Sequence, residues 1–194
     1  MLSKTETATL NKKLKDLKDQ YKRSYEILQQ KSEAKYKTTL KTGQTFNARQ
    51  GFYYDEDRQE FQKICSELRE QAHRIVDAIT NGYSEQNTKA PSTEAANVVT
   101  LIGARKNVSA DEIDQLMTRY GHDCPMVYAA LLEKAQDLGY RDFKPHPVTE
   151  AAENMQALSG IIDKTFNASR AEGNMVSTLA AFDVATDTAL PTGE

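Results

Sequence analysis

The sequence lacks tryptophan and has only two cysteines and five prolines in 194 residues. Cys65 and Cys124 are too few to form the disulfide framework of a small secreted domain, so we expect a reducing compartment. No apolar run approaches the about 20 residues that a membrane-spanning helix needs. The opening stretch, MLSKTETATLNKK, lacks the apolar core of a secretion signal. These absences predict a cytoplasmic protein with no membrane partner.

Signals for β-strands and for phosphate binding are also scarce. The glycines at positions 43 and 51 have neither the spacing of a phosphate-binding loop nor a strand before them and a helix after them. The paired acidic residues occur at predicted helix starts, where the helix dipole is enough to explain them. We therefore predict a protein that is not an enzyme and needs no cofactor.

The composition is that of long helices that are mostly in water. Hydrophobic residues make up 39% of the chain and charged residues 27%, and the mean hydropathy is −0.67. This is polar for a globule, yet too rich in aliphatic residues for a disordered chain. A helix with one buried stripe exposes most of its surface and has such a composition. The expected fold class is all-α.

The first predicted helix extends from Thr7 to Lys41 without proline or glycine. A heptad-like apolar seam with 4-3-4-7 spacing follows it, formed by Leu10, Leu14, Leu17, Tyr21 and Leu28. At about 1.5 Å per residue, a helix of this length cannot bury so narrow a seam along its whole length in a small globule. It needs a partner helix, from its own chain or from another.

A second predicted helix begins near Asp55 or Asp57, and Asp57-x-x-Glu60 fits a capping box. Its apolar face is wider, and Asn81-Gly82 is expected to end it, because glycine readily adopts the left-handed conformation after a helix. The simplest interpretation is a long, coiled-coil-like antiparallel hairpin over residues 1–82.

The rest of the chain predicts shorter elements. Residues 83–92 are polar, contain Pro91 and are interpreted as a linker, and residues 93–185 are expected to form a compact bundle of short helices. Within it, Ser109-x-x-Glu112 fits a capping box, Asp123 and Pro125 mark the next helix start, and Gly139 is expected to end that helix. Helices are then expected from Thr149 to about Ala171 and from Met175 to Val184. Residues 186–194 are a polar tail.

Charge is unevenly distributed along the chain. Residues 1–41 hold eleven basic and five acidic residues, a net of +6, which leaves −9 for the remainder of a chain whose net charge is −3. The basic residues that could contact an anion or a nucleic acid are Lys12, Lys15, Lys18, Lys22 and Arg23. Such a row could neutralise phosphates. The intervening acids, and the lack of a base-reading motif, favour a solvated helix face over nucleic-acid binding.

The connection KTGQTFNARQGFYYDED, residues 41–57, concentrates aromatic side chains between the two long helices. Each ring covers about 150–250 Å² when it is buried. The rings either cap the end of their own hairpin or dock on a partner, and such a connection is long for packed antiparallel helices. The candidate partner-binding residues here are Phe46, Arg49, Phe52, Tyr53 and Tyr54.

Catalytic and metal-binding patterns are weak. His122, Asp123 and Cys124 would supply a base and a nucleophile, but three consecutive side chains diverge at a helix start. Cys65 and His73 are two turns apart on one predicted helix, which is too far to chelate one ion. We predict no catalytic residue and no metal site, and we interpret His146, between two prolines, as a surface loop residue.

Together these patterns predict a non-enzymatic interaction or structural protein that works within a larger assembly. Its partner, either another protein or a second copy, would bind the seam residues of the first helix and the aromatic loop. A short, acidic, helical chain of this kind is consistent with a bacteriophage head, connector or scaffold protein. The alternative is a nucleic-acid-associated accessory protein that binds through the basic row.

Overall fold

The computed structural model describes residues 3–39, 52 and 54–190, and within them the fold is all-α, as predicted, with no β-strand. None of the described helices is both long and apolar enough to cross a membrane. A π-helical turn, Met117–Gly121, directly follows α4. The α-helices are α1 (Lys4–Thr39), α2 (Asp55–Asn87), α3 (Thr93–Ala104), α4 (Ala110–Leu116), α5 (Pro125–Asp137), α6 (Pro147–Thr165) and α7 (Ala168–Ala189).

The chain divides into two compact units, one formed by residues 2–77 with 156–194 and the other by residues 78–155. Helices α2 and α6 contribute residues to both units. The predicted division, with a linker at 83–92, differs from this one because α2 continues through Gly82 to Asn87. Tyr83, directly after that glycine, is buried. The burial of this side chain outweighs the about 1 kcal/mol by which a glycine destabilises a helix relative to alanine. Likewise, α7 continues to Ala189, beyond the predicted start of the tail.

The unit formed by residues 2–77 and 156–194 has an aromatic core. The rings of Tyr21 and Tyr25 in α1 each lie 5.4 Å from the ring of Phe61 in α2. Phe166 is 5.7 Å from Tyr21 and 5.6 Å from Phe182 in α7. The coiled-coil-like hairpin predicted for residues 1–82 is not confirmed, because α7 and the end of α6 share this core with α1 and α2.

The buried face of α1 is displaced from the predicted seam. Leu14, Tyr21 and Leu28 are buried as expected, but Leu10 and Leu17 are only half-buried. Asn11 and Tyr25, which lie outside the predicted seam, are buried instead, because α1 packs against α7 as well as α2. The buried residues of α1 are Thr7, Asn11, Leu14, Tyr21, Tyr25, Leu28 and Ser32.

Local hydrogen bonds define the start of α1. The Ser3 hydroxyl accepts from the backbone N–H of Glu6 at 3.3 Å, and the Glu6 carboxylate accepts from the backbone N–H of Ser3 at 2.8 Å. This reciprocal pair is a capping box. The same hydrogen bonds from Ser3 lower the pKa of Glu6. The Ser-x-x-Glu pattern was present in the sequence, so this helix start could have been predicted.

The capping box predicted for α2 is not formed, because both carboxylates contact α1. Asp57 is 1% exposed and accepts a hydrogen bond from Lys35 at 2.9 Å, and Glu60 accepts one from Lys31 at 3.1 Å. Since residues 31 and 35 meet residues 60 and 57, the two helices run antiparallel. Long-range ion pairs therefore replace the local contact that the sequence pattern indicated.

The second unit, residues 78–155, has an aliphatic core. Ser109 caps α4 as predicted, since its hydroxyl accepts from the backbone N–H of Glu112 at 3.2 Å. Gly139 ends the α5 segment with a φ of +85°, which confirms the predicted glycine stop. The buried core residues are Ala95, Ile102, Val108, Ile113, Met117, Cys124, Val127, Leu131 and Ala135.

The break between the last two helices falls earlier than predicted. Helix α6 ends at Thr165 and α7 begins at Ala168, whereas the sequence predicted one helix to about Ala171. Phe166 is buried at the break, and the backbone carbonyl of Asn167 accepts a hydrogen bond from the Tyr21 hydroxyl at 3.3 Å. Asparagine is also favoured at the position just before a helix. The hydrogen bond from Tyr21 and the local preference of Asn167 therefore both favour a helix start at Ala168.

Candidate functional site

The described part of the aromatic connection contacts its own chain. The ring of Phe52 is 3% exposed and lies 5.3 Å from Tyr25 and 5.4 Å from Phe61. Tyr54 is half-buried, and its hydroxyl lies 3.3 Å from that of Thr39. Phe52 therefore has no surface left for a partner. The other candidates in this connection, Phe46, Arg49 and Tyr53, lie outside the described residues.

The seam residues on α1 separate into two groups. Leu14 and Tyr21 are almost completely buried in the core, and that burial raises the pKa of Tyr21. A partner cannot reach these two side chains while the core is intact. Leu10 and Leu17 remain half-buried, and Leu17 lines a surface concavity together with Ile75 of α2.

The predicted basic row is partly neutralised inside the chain. Lys15 lies 2.6 Å from Asp187, and Lys18 donates to both oxygens of Asp183 at 2.7 and 2.9 Å. Lys22 is 4.0 Å from Glu26 on the same helix. Hydrogen bonds from Lys15 and Asn11 lower the pKa of Asp187. The two remaining members of the row, Lys12 and Arg23, are exposed.

Three large aliphatic side chains of α1 keep exposed surface, and we call Leu10, Leu17 and Ile27 the α1 edge. Ile27 is 64% exposed. Leu17 lines a shallow concavity of about 410 Å³ and Ile27 one of about 490 Å³, and Asp16 lines both of them. Ile75 of α2 lines the first together with Leu17. Leu10 and Leu17 are thus the members of the predicted seam that the described residues leave partly accessible, whereas Ile27 was not part of that seam.

A serine–histidine–aspartate arrangement occurs between α2 and α6. The Nε2 atom of His73 lies 2.9 Å from Asp163, and its Nδ1 lies 3.3 Å from the hydroxyl of Ser159. A hydrolase of this type also needs free N–H donors beside the serine to stabilise an oxyanion. Ser159 lies inside α6, where the backbone N–H groups are used in helical hydrogen bonds. The arrangement therefore connects two helices rather than forming a hydrolytic site.

The His122–Asp123–Cys124 sequence is not arranged as a nucleophile and base. Cys124 is buried, and its thiol donates to the backbone carbonyl of Lys89 at 3.4 Å. Cys124, rather than Asp123, occupies the cap position of α5, and its side chain makes no capping hydrogen bond; Pro125 follows at the first helical position. His122 and Asp123 are exposed.

The described residues contain no group of three or more histidine, cysteine, aspartate or glutamate side chains that could hold a metal ion. Cys65 lies in the aromatic core, where burial raises the pKa of its thiol to about 12. This thiol is protonated at neutral pH and is a poor ligand and nucleophile in that form.

A cleft of about 650 Å³ lies within the unit of residues 78–155. His146 lies in its wall and is only 7% exposed, so the prediction of a surface residue was wrong. The Nε2 of His146 donates to the carbonyl of His122 at 3.1 Å, while its Nδ1 accepts from the backbone N–H of Val148 at 3.2 Å. This second contact caps the start of α6. The lining residues are Gln86, Lys89, Asp114, Met117, Thr118, His122, Asp123, Pro125, Tyr128, His146, Pro147 and Val148.

Comparison of the chain with models of known protein families, with curated proteins and with solved structures finds no match.

Proposed function

We propose that the protein is a non-enzymatic interaction protein that works as a component of a larger assembly and binds its partner along the α1 edge. The partner is a second copy of the chain or another protein. The observation that carries the proposal is the 64% exposure of Ile27 on a helix whose other large apolar residues are buried or half-buried.

The arrangement around the α1 edge supports a protein partner. Apolar anchors inside a polar rim are typical of protein interfaces. Leu17 and Ile75 line one concavity with Lys13, Asp16 and Arg74. Ile27 lines the other with Asp16, Asp19 and Arg23. A partner helix with an apolar stripe between charged residues of both signs would complement such a surface.

Several residues that the sequence suggested as partner-binding contact other residues of the same chain instead. These residues therefore do not support binding to a partner. Leu14, Tyr21 and Phe52 are in the core, and acidic residues of α7 pair with Lys15 and Lys18. The same ion pairs weigh against the nucleic-acid alternative, because phosphates would have to displace the carboxylates of Asp183 and Asp187.

Hydrodynamic measurements on a matched pair of variants test the proposal. We expect wild-type protein to sediment as a species heavier than the 21.7 kDa monomer, or to crosslink to a partner through Lys12 and Lys13. Ile27→Glu places a charge in the α1 edge and should abolish this association. Both effects are measured by sedimentation velocity and by crosslinking mass spectrometry.

Val176→Glu is the control, because Val176 is an exposed apolar residue on α7, outside the α1 edge. This variant should associate as the wild type does, and circular dichroism should show that both variants are folded. A monomeric wild-type protein without a crosslinked partner contradicts the proposal, and so does association that survives Ile27→Glu.

The biological setting is a further part of the proposal. A bacteriophage head, connector or scaffold component is the setting that the composition suggested, and it stays a prediction. Co-sedimentation of the protein with assembled particles, lost in Ile27→Glu and kept in Val176→Glu, would support it. A protein found only outside the particles would contradict it.

A further inference from the structure

Helix α6 begins directly after His146, and this histidine caps its first turn. The backbone carbonyl of His146 accepts hydrogen bonds from the N–H groups of Thr149 and Glu150 at 2.9 and 3.0 Å. Its ring Nδ1 accepts from the backbone N–H of Val148 at 3.2 Å. His146 is therefore the N-cap residue of α6, at a position where serine, threonine, aspartate or asparagine usually supplies the accepting oxygen. None of these residues belongs to the α1 edge, so their role is independent of the proposed function.

The contacts of the His146 ring require a neutral imidazole. A backbone N–H can only donate, so Nδ1 must present its lone pair to Val148. A carbonyl can only accept, so Nε2, which lies 3.1 Å from the carbonyl of His122, must carry the hydrogen. The residue is 7% exposed, and the ring of Tyr128 meets it edge-on at 5.1 Å. One neutral tautomer thus satisfies both ring nitrogens at a buried position.

A second proton on this ring would act against the start of α6 in three ways. At Nδ1 it would turn the acceptor into a donor that faces the N–H of Val148, so the capping hydrogen bond would be lost. The positive charge would lie at the N-terminal end of a 19-residue helix, where the helix dipole disfavours cations. It would also lie at a buried position, where an unpaired charge is costly. The unfolded chain takes up the same proton without losing these contacts, so acid favours release of the cap.

Charged and titratable side chains surround His146, but its two ring hydrogen bonds go to backbone groups. In the part of the chain that the structure describes, no ion pair of His146 is present. The charged groups are exposed, so salt screens their effect on the ring. The groups on the surrounding elements are Lys89 after α2, Asp114 on α4, His122 and Asp123 in the turn before α5, Tyr128 on α5, Lys144 before α6 and Glu150 on α6.

His146 also joins the segment between α5 and α6 to the rest of its unit. The hydrogen bond to the His122 carbonyl connects this segment to the turn before α5. The Tyr128 hydroxyl donates to the carbonyl of Lys144 at 3.1 Å and makes a second connection, to α5 itself. Val148 is buried directly beyond the cap. Because His146 lies in the wall of the cleft, loss of its contacts loosens both the start of α6 and that wall.

We propose that His146 is a pH-sensitive latch. At neutral pH the uncharged ring caps α6 and holds the segment between α5 and α6 in place. In mild acid the ring takes up a proton, leaves its two backbone partners and releases the first turn of α6. Histidine is suited to this role because it is the side chain whose charge ordinarily changes between about pH 5 and pH 8.

NMR on the full chain between about pH 7.5 and pH 5 tests the latch. At the upper end, nitrogen-detected imidazole spectra should show His146 with its hydrogen on Nε2. Towards the lower end, the protection factor of the Val148 amide, which is its exchange rate in the unfolded chain divided by the observed rate, should fall by about tenfold or more. The protection of Leu131, buried within α5, should fall less.

Two histidine variants make the test specific. His146→Asn keeps a side-chain acceptor for the cap but does not titrate in this range, so the protection of Val148 should no longer depend on pH. His122→Gln is the matched control, because the His122 side chain is exposed and only its backbone carbonyl contacts His146. This variant should respond to acid as the wild type does. His73 is retained in both variants, so its titration cannot account for a difference between them.

The titration of the wild-type protein is decisive even where a variant does not fold. A His146 ring that stays neutral to about pH 5 overturns the proposal. So does a ring that takes up its proton while the Val148 amide stays protected. A pH response that persists in folded His146→Asn, or that disappears in folded His122→Gln, overturns it as well.

Discussion

At the scale of single residues, Asn11 shows how a polar side chain can decide the face of a helix. It is 2% exposed, and its amide donates to the carbonyl of Leu190 at 2.8 Å and to Asp187 at 2.9 Å. Both acceptors lie at the end of α7, about 180 positions away along the chain. The neighbouring Leu10 is more apolar, so hydrophobic spacing alone places Leu10, and not Asn11, in the core.

Replacing Asn11 should therefore destabilise the protein. Asn11→Ala leaves the buried carbonyl of Leu190 without its donor, and such a loss costs about 1–3 kcal/mol. Urea unfolding followed by circular dichroism measures the change. Lys12→Ala, at an exposed neighbouring position, should change the free energy of unfolding by no more than about 0.5 kcal/mol. Equal stability of the two variants would contradict this account of Asn11.

Gly121 is required by a close approach and not by its backbone angles, since Gly139 is the only glycine with positive φ among the described residues. An added Cβ would lie 3.1 Å from the backbone Cα of Tyr128, which cannot move aside as a flexible side chain can. We expect Gly121→Ala to lower the free energy of unfolding by about 1–3 kcal/mol, as overpacking does. In Gly103→Ala the new methyl group meets no atom within 4 Å. Chemical denaturation of this pair should show a loss in the first variant only.

At the scale of secondary-structure elements, helix ends were predicted best where the signal is local. The Ser109 cap, Pro125 and the Gly139 stop are all found as expected, because each acts within one turn of the backbone. The register of α1 was not predictable in the same way. Asn11 and Tyr25 are buried on this helix while the predicted seam residues Leu10 and Leu17 are only half-buried, since α7 and α2 share its buried face.

The end of α2 can be tested with glycine substitutions. Gly82 lies inside the helix with no atom within 4 Å of an added Cβ, so Gly82→Ala should stabilise the protein by about 0.5–1 kcal/mol. Gly139 has a φ of +85°, so Gly139→Ala should destabilise it by about 1 kcal/mol. Thermal and chemical unfolding measure both changes. Destabilisation by Gly82→Ala would indicate instead that the helix ends at this glycine.

The contact between α1 and α7 should weaken in acid. Because hydrogen bonds from Lys15 and Asn11 hold the pKa of Asp187 below its ordinary 3.8, the unfolded chain takes up this proton first as the pH falls. The contribution of the Asp187 carboxylate to the free energy of unfolding is therefore complete above the ordinary pKa of 3.8. It is lost as the pH falls through the lowered pKa of the folded state. Asp187→Asn should be less stable than wild type at neutral pH, and the difference should shrink as the pH falls below the ordinary 3.8 towards the lowered pKa.

Urea titrations at several pH values measure this difference. Asp77→Asn serves as control, because Asp77 is exposed and the structure gives it no ion pair among the described residues. A difference between wild type and Asp187→Asn that stays constant down to about pH 2 would show that the ion pair does not stabilise the contact.

At the scale of the whole molecule, the chain contains two compact units with separate cores. The unit of residues 78–155 is continuous in sequence, and its aliphatic core draws only on residues within that range. We therefore expect a fragment of residues 78–155 to be helical and to unfold cooperatively. Circular dichroism during heating measures both properties.

Two leucine variants make this test specific. Leu131 is buried in the core and Leu101 is 66% exposed. In the fragment, Leu131→Ala should cost about 2–5 kcal/mol, while Leu101→Ala should have little effect. Equal effects of the two substitutions, or heating without a cooperative transition, would mean that this unit does not fold by itself.

Charge also had to be interpreted at the scale of the whole molecule. The basic excess of residues 1–41 suggested an anionic partner outside the chain, but acidic residues of α2 and α7 lie beside four of these lysines: Lys15, Lys18, Lys31 and Lys35. The sequence gives the number of basic and acidic residues, but it does not give the distances between them. Only the positions of the helices show which charges neutralise one another.

The sequence by itself determined the all-α class, several helix starts and stops, and the absence of an apolar span, because these depend on composition and on residues within a few positions of each other. The tertiary structure alone decided that Leu14, Tyr21 and Phe52 are enclosed while Leu10, Leu17 and Ile27 stay accessible. It also brought His146, Tyr128 and Lys89 to one cleft. Burial and convergence depend on which distant segments pack together, and spacing along a chain does not contain that information.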